Sequence, residues 1–170
     1  MINLIIGSMK SGKSARLLET AYKLKSSLSK KEQDKVIFIR PSCDTRNFIT
    51  RKVIDFNHKE ILYGNEYTDL KDFDYIFIDE VQFFKKKYIQ SLIANRKKKA
   101  GIFCAGLNAD IKNKVWGNIA TLIPFVSSIE LLKANCDICG AKESAIYNIG
   151  DGKIGDNYKV VCPRCKIDLN

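Results

Sequence analysis

The chain has 170 residues, 45% of them hydrophobic, and a formal net charge of +10 at pH 7; this suits one buried core with a small appendage. No apolar run approaches the ~18–20 residues that cross a bilayer, and the apolar N-terminal stretch stops at Gly7, too short for a secretory segment. A cytoplasmic setting is therefore expected, with the six cysteines as thiols or metal ligands, and lysine runs such as Lys85-Lys86-Lys87 read as solvated faces before they read as a grip on nucleic acid.

Residues 2–6 form the first expected strand, and Gly7-Ser8-Met9-Lys10-Ser11-Gly12-Lys13-Ser14 follows it as G-x-x-x-x-G-K-S. The glycines let backbone N–H groups curl toward a polyphosphate, and the next helix adds its N-terminal donors. Lys13 then supplies charge to the β/γ-phosphates, and the Ser14 hydroxyl can join the shell of Mg²⁺. The pattern predicts binding of a nucleoside triphosphate. Leu17, Leu18, Ala21, Leu24 and Leu28 recur at helical spacing, so a helix should run from the loop to near Ser29.

Further apolar runs at 36–39, 75–78, 102–106 and about 128–132 read as buried strands. Tyr88, Ile89, Leu92 and Ile93 predict a helix over 86–97. Strand–helix alternation implies an α/β fold, a P-loop NTPase-like parallel sheet flanked by helices, with ligand at the carboxyl edge. Residues 41–73 are less regular, and Val53 to Leu62 fits either a short hairpin or an extended lobe. Beyond Ala134 the composition turns to cysteine and glycine without a helical stripe. The expected division is a nucleotide-binding domain over 1–133 and a small zinc-binding domain over 134–170, packed closely together.

Tyr75-Ile76-Phe77-Ile78-Asp79-Glu80 is an apolar strand ending in two carboxylates, which beside a P-loop suits Asp79 to hold Mg²⁺. Strand alternation should turn Glu80 away from Asp79 and free it to orient a nucleophile and take its proton. That nucleophile is water in an ATPase and a substrate hydroxyl in a kinase. Cys136-x-x-Cys139 and Cys162-x-x-Cys165 are two knuckles separated by residues 140–161. Four thiolates close a tetrahedral Zn²⁺ site without an open position, hence a structural one. Cys104 lies in an apolar run and reads as core, Cys43 has no partner in sequence, and lone His58 reads as surface.

Taken together, Gly7–Ser14, Asp44-Thr45-Arg46, Ile78-Asp79-Glu80-Val81-Gln82-Phe83-Phe84, Gly106-Leu107-Asn108, Trp116-Gly117 and the four cysteines resemble the cytosolic-type (type II) thymidine kinases over nearly the whole chain. The resemblance implies transfer of the γ-phosphoryl of ATP to the 5′-hydroxyl of deoxythymidine, or of deoxyuridine, and a homotetramer. It implies that ATP lies on Gly7–Ser14 with Asp79, Glu80, Val81 and Gln82, that Glu80 is the base, that Arg46 assists catalysis in the phosphate region beside Asp44, and that Lys13 is catalytic too. Met9, Asp44, Phe83, Leu107, Trp116 and Tyr158 correspond to substrate-pocket positions, and Ile149 to Tyr158 to a lasso loop over thymine. Residues 150–158 make that loop shorter than is usual in the family. Asn108 stands where many members have Asp, Ile111 where they often have Phe, and Lys10 where Phe or a small residue is common. An alternative is a P-loop ATPase gripping nucleic acid through the zinc knuckle and basic surface, although 170 residues leave little room for helicase motifs.

Overall fold

The structure is a computed structural model that describes residues 1–46, 49–50, 60–150 and 158–169. Six strands build its sheet: β1 (Ile2–Gly7), β2 (Val36–Ile39), β3 (Leu62–Gly64), β4 (Tyr75–Ile78), β5 (Gly101–Leu107) and β6 (Ser128–Leu132). Their spatial order is β3-β2-β4-β5-β1-β6, and every neighbouring pair is parallel. Four helices connect them: α1 (Lys13–Ser27), α2 (Lys30–Gln33), α3 (Lys86–Asn95) and α4 (Gly117–Leu122). A parallel sheet needs such crossovers, and they cover both of its faces.

Side-chain alternation splits the core in two. Leu4, Ile37, Ile39, Ile76, Ile78, Ile102 and Cys104 face α3 and α4, where Ile89, Leu92, Ile93, Ile119 and Leu122 meet them. Ile5, Val36, Phe38, Phe77 and Ala105 face the opposite way, onto Leu17, Leu18 and Ala21 of α1. On that second face the paired residues Phe77 and Phe103 stack their rings 4.5 Å apart. Cys104 is thus core, as its apolar run suggested.

The five strands expected from the sequence are present within a residue of their predicted ends. One expectation fails in part: β6 is an edge strand, not a buried one, and Ile129 and Leu131 remain 46% and 48% exposed because no further strand or helix covers them among the described residues. The edge strand β3 lies in the segment without a clear period, and three residues are too few to show one. The hairpin-or-lobe question over Val53 to Leu62 falls mainly outside the described residues, as does His58. Helix α1 stops at Ser27, where Leu28 turns extended, and α3 passes into a 3₁₀ turn over Arg96–Lys98. Beyond Ala134 the chain forms an antiparallel hairpin, β7 (Tyr147–Ile149) with β8 (Lys159–Val161), and a short helix α5 (Pro163–Ile167). No helix among the described residues is long and apolar enough to cross a membrane.

The turn after β4 is clamped from below. Buried Asn118 of α4 donates through Nδ2 to the carbonyls of Val81 (3.0 Å) and Phe84 (2.6 Å). Gly106 of β5 passes beneath the same turn, where an added Cβ would lie 2.7 Å from Gln82 Oε1 and 2.8 Å from Val81 Cγ1. Gly106→Ala is expected to lower stability by about 1–3 kcal/mol through this overpacking. Urea unfolding checks it as a lower midpoint with an unchanged slope.

Candidate functional site

The P-loop residues leave β1 and enter α1 as the motif requires. Lys10 (φ 61°) and Gly12 (φ 86°) are both left-handed. Glycine adopts that shape freely, whereas at Lys10 it is a strained conformation of the kind that collects at functional sites. Lys13 is buried, with Nζ donating to the Ser8 carbonyl at 2.6 Å. Burial lowers its pKa, opposed by the charges of Glu80 and Asp79 and assisted by Arg46. The ammonium is therefore desolvated inside the loop, which strengthens its attraction for an anion.

Asp79 follows β4 and is 1% exposed. Its Oδ1 accepts the Glu80 N–H at 3.0 Å, while Oδ2 is buried with no hydrogen-bond partner among the described residues. Burial and the neighbouring Glu80 carboxylate push its pKa up to about 7, against the pull of the nearby Ser14 hydroxyl, the Glu80 N–H and Lys13. An orphaned carboxylate oxygen beside a serine hydroxyl is a donor set that fits Mg²⁺.

Glu80 takes partners other than those of Asp79, and strand alternation does not govern it. β4 ends at Ile78, and Glu80 lies beyond it with φ 50°. Its carboxylate is gripped at both oxygens: Arg46 Nη2 donates to Oε1 at 3.1 Å and Gln82 Nε2 to Oε2 at 2.6 Å. Gln82 also accepts the Leu107 N–H through Oε1 at 3.1 Å, tying the turn to the end of β5. Arg46 forms a fork on Asp44, Nε to Oδ1 at 2.7 Å and Nη2 to Oδ2 at 2.8 Å, and Arg40 reaches Asp44 Oδ2 at 2.7 Å. Val81 is buried below the turn. The sequence pointed to Asp79, Glu80, Arg46 and Lys13, and the structure brings them together. The resemblance sets Gln82 beside ATP, whereas its link to Leu107 crosses 25 positions of sequence and has no local signal.

Of the other predicted pocket residues, Phe83 and Trp116 meet edge to face at 5.9 Å. Met9 packs on the cluster that holds Ala145, Val160 and the buried cysteines, together with Tyr147 and Ile149. Leu107 ends β5 beside Gln82, and Tyr158 directly precedes β8. The expected lasso lies mostly outside the described residues, which include only Ile149, Gly150 and Tyr158 of it.

The four cysteine sulfurs lie within 4.8 Å of one another. Cys139 and Cys162 are 3.8 Å apart, the separation that tetrahedral Zn–S bonds of ~2.3 Å would give. Backbone N–H groups point at two of the sulfurs, Cys162 N toward Cys136 (3.4 Å) and Cys165 N toward Cys162 (3.5 Å). Such donors, those of Cys139 foremost, lower the Cys136 thiol to about 6. The cluster fits Zn²⁺. Cys43 is exposed and apart from it.

A family model described as thymidine kinase matches residues 1–166. The thymidine kinase of Amsacta moorei entomopoxvirus is 34% identical over 151 residues, covering 81% of this chain and 79% of that protein. The thymidine kinases of vaccinia virus strains Western Reserve and Copenhagen are each 32% identical over 179 residues, covering 98% of this chain and 97% of theirs.

The arginine cluster carries a pH signature. Burial opposes ionisation of Asp44, but bonds from Arg46 and then Arg40 outweigh it and hold the pKa at about 2, below the ordinary 3.8. Because the folded value is depressed, this stabilisation is complete above about pH 4 and lost as pH falls through about 2. Urea midpoints from pH 5 down to 2 should fall less steeply in Asp44→Asn, which starts from a lower midpoint.

Proposed function

The chain belongs to the thymidine kinase family and is a deoxynucleoside kinase, and from that premise we propose that it transfers the γ-phosphoryl group of ATP to the 5′-hydroxyl of deoxythymidine, with Glu80 as base. The observation that carries this reading is the grip on Glu80: Arg46 at one oxygen and Gln82 at the other fix a carboxylate one residue beyond buried Asp79. A base in phosphoryl transfer must be held in place more than it must be strong.

In this reading the P-loop, Gly7 to Ser14, with Asp79, Glu80, Val81 and Gln82, takes ATP. Ser14 and Asp79 would hold Mg²⁺, which would supply charge neutralisation on the triphosphate. Lys13 meets the same phosphates with its desolvated ammonium. Met9, Asp44, Phe83, Leu107, Trp116 and Tyr158 receive the nucleoside. Glu80 accepts the 5′-hydroxyl proton as the oxygen bonds to the γ-phosphorus, and the bond from that phosphorus to the bridging oxygen breaks to release ADP. Arg46, steered by Asp44, faces the charge that develops on the transferred group. The products are ADP and the nucleoside monophosphate.

Cys136, Cys139, Cys162 and Cys165 would hold a structural Zn²⁺ in a C-terminal domain of residues 134–170, next to the nucleotide-binding domain of 1–133. Contacts across that division support close packing: the Ser8 hydroxyl donates to the Ala145 carbonyl at 2.9 Å and Lys10 pairs with Asp137 at 2.8 Å. A homotetramer in the cytoplasm completes the proposal on family grounds, with light scattering to check the assembly.

Phosphorylation of a deoxynucleoside panel with ATP–Mg²⁺ tests the reaction. Turnover on thymidine should drop about 10²–10⁴-fold in Glu80→Gln with KM values changed far less. Near-normal turnover would remove Glu80 as base, and ATP hydrolysis without any acceptor would point to an ATPase. Cys162→Ser should lose the bound zinc measured by elemental analysis and lower the Tm; unchanged metal content and Tm would defeat the structural-zinc assignment.

A further inference from the structure

The β7–β8 hairpin is tied to the main sheet largely by side chains reaching backbone. Asn148 of β7 is 3% exposed. Its Oδ1 accepts the Met9 N–H of the P-loop at 2.8 Å, and its Nδ2 donates to the Ala109 carbonyl, just past β5, at 3.1 Å. Asn108 reinforces the seam, donating through Nδ2 to the Ile146 carbonyl at 3.0 Å. One carboxamide therefore joins three segments: the P-loop, the exit of β5 and the hairpin.

We propose that Asn148 is a positioning residue for the acceptor nucleoside, setting Met9 against Leu107 so that the two keep the spacing of one pocket wall. The inference rests on the nucleoside site proposed above, to which Met9 and Leu107 belong. A carboxamide suits the task because it accepts at one end and donates at the other, and both of its partners are backbone groups with fixed positions. Asp at 148 would still accept from Met9 but could not donate to Ala109, and would set a carboxylate against a carbonyl. Ala would leave both backbone groups without their side-chain partner. Asn148 touches neither reacting atom, so its loss should act on nucleoside binding and spare the chemistry.

The test compares wild type, Asn148→Ala and Asn148→Asp in ATP-dependent phosphorylation of thymidine, with zinc content and Tm measured alongside. The thymidine KM is expected to rise about tenfold in Asn148→Ala, the worth of one or two buried hydrogen bonds, and by less in Asn148→Asp. The KM for ATP, whose loop Asn148 touches only at Met9, should move less than that for thymidine, and kcat and the zinc content should stay near wild type. A thymidine KM that does not move would overturn the proposal. So would a joint fall of kcat, of affinity for both substrates and of zinc, which marks general damage. If Asn148→Ala does not fold, Asn148→Asp decides by the same split. Absence of wild-type turnover on thymidine would sink the proposed function and this inference with it, whereas wild-type turnover with unmoved variants sinks this inference alone.

Discussion

Charge buried at the carboxyl edge of the sheet is the constraint on which the rest depends. Lys13 and Asp79 are both inside, 7% and 1% exposed, and an isolated ion there would cost several kcal/mol. The surrounding groups offset this by pairing opposite signs: Lys13 attracts Glu80 and Asp79, Arg46 joins Glu80 to Asp44, and Arg40 also holds Asp44. Three basic side chains thus face three acidic ones. The arrangement remains polar at each point, which suits a site meant to handle a polyanion.

The neutral amides translate that cluster into fixed geometry. Gln82 holds Glu80 with one end and β5 with the other. Asn118 fastens the intervening turn, and Asn148 fastens the P-loop to the hairpin. A strained Glu80 backbone is tolerable because these bonds over-determine its position.

Much of this was legible in the chain. Four-residue apolar runs named β2 and β4 outright, since strands buried on both faces carry no polar interruptions. The P-loop and the two cysteine knuckles could be read because their chemistry depends on local spacing, and the cysteines converge as that spacing required. Other features left no trace. The edge strand β3 and helix α4 are too short to establish a period. The roles of Gln82, Asn118 and Asn148 rest on partners distant in sequence, and an isolated amide carries no pattern. The edge position of β6 leaves no trace for a related reason: hydrophobicity marks a strand, but only topology says whether it lies at the edge.

The register between β1 and β5 has a consequence for how such a chain can change over generations. Gly7 pairs with Leu107 at the last rung of the two strands, and the Asn108 N–H bonds back to the Gly7 carbonyl at 3.2 Å. The start of the P-loop and the end of β5 are thereby counted off together from the opposite end of the sheet. An inserted or deleted residue inside either strand would shift one terminus by a rung and turn its side chains to the other face. Length variation among descendants should therefore gather in the exposed turn over Lys112–Lys114 and spare these strands, even where their apolar side chains exchange freely.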